Sequence, residues 1–131
     1  MKGSPSEVIG AHRDKLKRIH QLACFYSADR VPKLTRKFSG QSRASINMGV
    51  GSPDNRVVLV ENYRKNAIQG ELAAATRRFK QVSSGIGVSD TVYISSALDY
   101  SPIVECKLGD LSFTKSSRLW QQDVDRATRN A

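Results

Sequence analysis

Apolar positions change period along the chain, and the changes mark its elements. Over residues 4–31, Ile9, Leu16, Ile19, Ala23 and Tyr26 recur at mostly helical spacing, with His12 and His20 near the same stripe. This predicts a long helix. Ser4 or Ser6 caps it, Pro5 suits its first turn, and Glu7 favours the positive end of its dipole. Pro32 marks its end or a kink. Residues 35–42 are polar, contain Gly40 and read as a connection. Residues 43–50 then alternate, with Ala44, Ile46, Met48 and Val50 on one face of a half-buried strand. Residues 51–55 form a turn, and residues 57–60 read equally as a short strand or a helix onset.

Helical spacing returns from about Glu61. Ile68, Leu72, Ala75, Phe79 and Val82 step by four and three residues, although Gly70 weakens this helix, which ends at residues 83–87. Thr91–Ser95 is β-branched and aromatic, hence a strand. Residues 97–106 read as a turn into a short helix. Residues 116–130 predict a last helix with Leu119, Trp120, Val124 and Ala127 on its apolar side. The expected fold is α+β: a small antiparallel sheet packed with a long N-terminal helix, a second central helix and a C-terminal helix.

Composition narrows the class. A chain of 131 residues fits one domain, and 39% apolar with 25% charged residues argues against bulk disorder. No apolar run approaches the roughly 18 residues of a membrane span, and Met-Lys-Gly-Ser-Pro lacks the apolar core of a signal peptide. Cys24 and Cys106 have no metal-ligand spacing and make no disulfide framework, so a reducing, cytosolic origin is expected. The formal charge is +9, and residues 1–43 hold ten basic against three acidic side chains. That asymmetry favours polyanions, nucleic acid first, or is a plain solvated or protein-facing surface. The aromatics there, Phe25, Tyr26 and Phe38, are too few for a base-stacking platform.

No residue pattern specifies catalysis. His12 and His20 lie two helical turns, roughly 12 Å, apart and share no ion. Cys24 lies four residues from His20, but two ligands do not make a zinc site. Gly49-Val50-Gly51 and Gly85-Ile86-Gly87 lack the continuation of a nucleotide-binding loop and read as turns. No catalytic residue, cofactor or metal site is assigned. Cys24 reads as a small buried residue, Cys106 as more exposed, and Trp120 as a core or interface anchor.

Two segments carry a resemblance. Residues 39–54 run Ser-Gly-Gln-Ser-Arg-Ala-Ser-Ile-Asn-Met-Gly-Val-Gly-Ser-Pro-Asp, and residues 90–105 run Asp-Thr-Val-Tyr-Ile-Ser-Ser-Ala-Leu-Asp-Tyr-Ser-Pro-Ile-Val-Glu. Together they resemble the tailed-bacteriophage neck and minor tail-component proteins, which act in tail completion and head–tail joining. Gly40 and Arg43 match that family's turn and strand start, and Gly49, Gly51, Ser52 and Pro53 match a strand-end pattern. Tyr93, Ile94, Ser95, Leu98, Tyr100 and Glu105 match its second signature. Ser96 and Asp99 depart from it, standing where asparagine and proline are usual.

The resemblance implies one neck or tail-completion-like domain over 1–131. It implies a non-enzymatic virion protein, made in the host cytoplasm, that joins the portal or connector to the tail around the DNA channel. Its partners would be itself in a six- or twelvefold ring, the portal or connector, and tail terminator, sheath or tube proteins, with non-specific contact to genomic DNA and no membrane. Expected interface or DNA-proximal residues are Arg13, Lys17, Arg18, Lys33, Arg36, Lys37, Arg43 and Trp120, with the 35–42 connection. Tyr93, Ile94, Leu98 and Tyr100 are expected to anchor the turn after the late strand, with Glu105 polar-bonded nearby. The alternative is a small basic DNA-binding or DNA-packaging accessory protein.

Overall fold

The first helix, α1, spans Pro5–Leu34 in the computed structural model, which describes residues 4–37, 39–58 and 67–131. Ser4 caps it through a capping box. Its hydroxyl accepts the Glu7 N–H at 3.3 Å, and the Glu7 carboxylate accepts the Ser4 N–H at 3.0 Å. Pro32 sits in the last turn without ending the helix before Leu34, and its carbonyl accepts the Thr35 N–H at 3.2 Å. The Thr35 hydroxyl closes the helix end by donating to the Val31 carbonyl at 2.9 Å.

The remaining elements are α2 (Gln41–Ala44), β1 (Ile46–Val50), α3 (Glu71–Ser83), β2 (Val92–Ser96), a π-helical turn (Ile103–Lys107), α4 (Ser112–Arg118) and α5 (Trp120–Asn130). The two strands pair antiparallel, with Ile46 opposite Ser96, Met48 opposite Ile94 and Val50 opposite Val92. Ile46 and Met48 enter a core with Cys24, Ala28 and Val31 of α1, Ala75 and Phe79 of α3, and Ile86. α1 packs on α3 and β1 along one side and on α4 and α5 along another. The architecture is α+β, as the periodicity predicts.

Several local expectations fail for identifiable reasons. The central helix starts at Glu71 rather than near Glu61; residues 61–66 lie outside the described residues, and Ile68 precedes the helix. Gly70 holds a left-handed conformation, φ +68°, at that start, which a continuing helix would not tolerate. Ala44 is buried in α2 rather than in a strand, and Val50 is exposed at the end of β1. The 35–42 connection is not a free polar surface, because Thr35, Ser39 and Gln41 are buried and Gln41 opens α2.

The C-terminal segment is two helices meeting at Leu119. Asp123 and Ala127 turn inward, at 1% and 0% exposure, while Trp120 is 40% exposed. Arg30 of α1 engages the inward side. It forms a bidentate pair with Asp123, Nη1 to Oδ2 at 3.0 Å and Nη2 to Oδ1, and reaches the Ser116 carbonyl at 3.2 Å. The Ser116 hydroxyl donates to the Ser27 carbonyl at 2.9 Å. A charge this deeply placed needs its partner in fixed geometry, and the pair fastens α5 to α1 by the side that carries Ala127.

Candidate functional site

The first half of α1 is bare. Every residue from Pro5 to Arg18 is exposed, about 21 Å of helix at 1.5 Å per residue. Three large apolar side chains stand exposed here: Val8 is 51% exposed, Ile9 61% and Leu16 47%. Together with His12, Arg13 and Val88 they line one shallow apolar cleft. The other half buries the small residues Ala23, Cys24, Ser27 and Ala28, followed by Val31 and Pro32. Small residues let neighbouring helices approach closely. The exposed half has the apolar stripe of a packed helix and no covering element among the described residues.

The basic side chains divide along the same line. Lys33 pairs with Asp29 at 2.8 Å, Arg36 with Asp110 at 2.8 Å, and Lys37 and Arg43 with Glu71 at 3.1 and 3.2 Å. These four expected interface cations are therefore engaged within the chain. Arg36 also takes the Leu108 carbonyl at 3.0 Å, clamping the segment before α4 to the end of α1. Burial pushes the Glu71 carboxyl up, but its own backbone N–H, Lys37 and Arg43 outweigh that and hold it below the ordinary glutamate range. Arg13, Lys17 and Arg18, with the neighbouring Lys15, form no ion pair among the described residues and are fully displayed on the bare half.

Most residues singled out from the two sequence segments have structural tasks. Gly40 holds φ +88° before α2, and a Cβ there would meet the Ile68 Cβ at 2.8 Å. Arg43 donates to the Thr35 carbonyl at 2.7 Å besides pairing with Glu71. Glu105, in the π-helical turn, is the missing cap of α4. Its carboxylate accepts the N–H groups of Phe113 and Thr114 at 3.2 and 2.9 Å and the hydroxyls of Ser112 and Thr114 at 3.2 and 3.1 Å. Burial raises its pKa, but these four donors outweigh that and lower it. Leu98 is buried, Tyr100 is half-buried, and Ile94 packs against the core. Tyr93 anchors nothing in the core: the pleat turns it to the opposite sheet face, where it is exposed.

A second cleft, of about 480 Å³, is lined by His20, Cys24 and Ser27 of α1, by Asp90, Thr91, Val92 and Ile94, and by Ser117 and Trp120. His20 Nε2 lies 3.0 Å from the Asp90 carbonyl oxygen, and its Nδ1 lies 3.8 Å from the Cys24 sulfur. Burial pushes the Cys24 thiol up to about 11, so at neutral pH it is protonated and a poor nucleophile. Cys106 is exposed and both cysteines are free thiols. Among the described residues, no three His, Cys, Asp or Glu side chains gather as a metal-ligand set.

Sequence reasoning missed Lys15 and the two devices that shape the sheet and the C-terminal helices, Arg78 and the Arg30–Asp123 pair. No periodic signal marks either, since each depends on partners distant in the chain. No family model, no curated protein and no solved structure matches this chain.

Proposed function

We propose that this chain is a non-enzymatic assembly subunit, a virion neck or tail-completion protein that joins the head connector to the tail. The single observation that carries the assembly role is the bare half of α1, where Val8, Ile9 and Leu16 stand in solvent. Burying such side chains is worth about 1.5–3 kcal/mol each, a gain the chain leaves unused by itself. The occupant of this face is the adjacent copy in a six- or twelvefold ring. The neck assignment rests on the sequence resemblance of residues 39–54 and 90–105. In this reading Arg13, Lys15, Lys17 and Arg18 face an acidic neighbouring ring or the passing genome, and the contact is non-specific. Expressing the chain with the proteins encoded beside it, and reconstructing the resulting particles, tests the assignment. A ring at the head–tail junction is the expected result; a position elsewhere ends it.

A second reading, a small DNA-binding accessory protein, is favoured by those same four displayed cations. It predicts duplex binding by the isolated chain that weakens steeply with salt. Arg13→Glu with Lys17→Glu abolishes that binding if the reading holds. Salt-insensitive or absent duplex binding removes it.

A further inference from the structure

We propose that the outer edge of β2 accepts an extended segment of a different protein as a third strand. The hydrogen-bond pattern of the sheet gives the first reason. The Gly51 N–H donates to the Thr91 carbonyl at 2.8 Å, in register with the β1–β2 pairing. Hydrogen-bonded pairs alternate along an antiparallel ladder. Gly49 with Tyr93 and Asn47 with Ser95 are therefore the bonded pairs. The backbone groups of Val92, Ile94 and Ser96 point away from β1, and none has a hydrogen-bond partner among the described residues.

The two edges of the sheet are treated differently. At the start of β1 the outward carbonyl of Ile46 is taken by Arg78 of α3 at 3.0 Å, and the same guanidinium reaches the Ala44 carbonyl at the end of α2 at 3.1 Å. That guanidinium blocks strand addition there. Among the described residues no comparable side chain covers β2, and an uncovered edge is a template for another strand.

The cleft of about 480 Å³ lies on this uncovered side. Thr91, Val92 and Ile94 line it and β1 contributes nothing to it, while Cys24, Ser27 and Trp120 form the facing wall. It is in the size range of ligand clefts, far above a packing void. A strand seated there places alternate apolar side chains against Cys24 and Trp120.

The donor's chemistry follows from what surrounds the cleft. Its α1 wall, Ser27, Cys24 and His20, continues by three- and four-residue steps to Lys17 and Arg13, the unpaired cations of the bare helix. The donor therefore carries acidic residues at the end that passes them. A second copy is a poor donor. Its β1 edge is occupied by Arg78, its residues 54–58 are held by Asn47 and Ser45, and its own bare α1 half presents cations, not the acidic end the donor needs. The inference stands whether or not the chain serves at a virion neck.

The probe is a blocked nine-residue peptide alternating valine and threonine, with two aspartates at one end, made in both orders. Amide exchange is followed by NMR on the full chain. Val92, Ile94 and Ser96 should exchange at least about tenfold more slowly with the probe, while Tyr93 and Ser95, already in the ladder, stay unchanged. Val92→Pro removes one outward donor at the first position of an edge strand, where proline is tolerated, and should abolish binding. If that variant does not fold, Trp120→Ala decides, and undiminished probe binding by it overturns the proposal. Lys17→Glu should weaken the aspartate probe several-fold and leave an asparagine version unaffected. Absence of the alternating protection overturns the proposal. So does the same protection appearing without probe in a dimer of the chain, which would make a second copy the occupant.

Discussion

The two halves of α1 share one continuous helix and have opposite fates. From Ile19 to Leu34 it lies against α3, β1, α4 and α5, and its cations Arg30 and Lys33 are paired. From Pro5 to Arg18 every residue is exposed, and its cations form no ion pair among the described residues. Hydrophobicity alone does not decide between them, because Val8, Ile9 and Leu16 are outside while Ala23, Ser27 and Ala28 are inside with Cys24 and Val31. Close approach and fixed polar pairs decide instead. One half is a structural spine, and the other is surface held ready for a neighbour.

Breaking the docked half should have the largest effect. Asp123→Ala leaves Arg30 without its carboxylate at a half-buried site and should cost about 3 kcal/mol in urea unfolding. A loss below about 1 kcal/mol would mean that the pair does not hold α5 to the spine.

Glu71→Gln comes next, at about 2 kcal/mol near pH 7, since Lys37 and Arg43 lose their shared partner. Its pH dependence sharpens the point. The folded Glu71 carboxyl titrates below its unfolded value, so its contribution is complete above about pH 4.3 and is lost as pH falls through the folded value. The stability gap between parent and variant should narrow below about pH 4. A gap that is constant with pH contradicts the assignment.

Glu105→Ala should cost about 1 kcal/mol through loss of the α4 cap, read as a lower thermal midpoint. Its folded carboxyl is also depressed, so this contribution too is lost on acidification, not on alkalinisation. At the bare half the expected effect is smallest. Val8→Ser, Ile9→Ser and Leu16→Ser together should change the isolated chain's stability by less than about 0.5 kcal/mol and still prevent assembly. Intact assembly in that triple variant would strip the bare half of its role.

Much of the frame was legible because it is written locally. Ser4, Pro5 and Glu7 mark the start of α1, and Ile46 with Met48 marks the buried face of β1. Glu105 is singled out by the resemblance rather than by any local pattern, and its polar bonding is found as α4's cap. Apart from the helix start at Gly70, the misses are long-range. Ala127 of the expected apolar side of α5 is buried, but nothing in the sequence shows that Asp123 is buried beside it by Arg30, 93 positions away. The charge excess of residues 1–43 looks like one basic belt. Pairing to Asp110 and Glu71, far along the chain, leaves only its first part displayed. Arg78 gives no local sign that it will close a sheet edge.

Amide hydrogen exchange along α1, in the isolated chain and in the assembled particle, tests the central claim most directly. In the isolated chain residues 19–34 should be strongly protected and residues 5–18 should exchange close to the rate of an uncovered helix. In the particle, residues 8–16 should slow by about a hundredfold or more as the neighbour covers them. Equal protection of both halves in the isolated chain, or an arm that stays fast in the particle, would contradict the account.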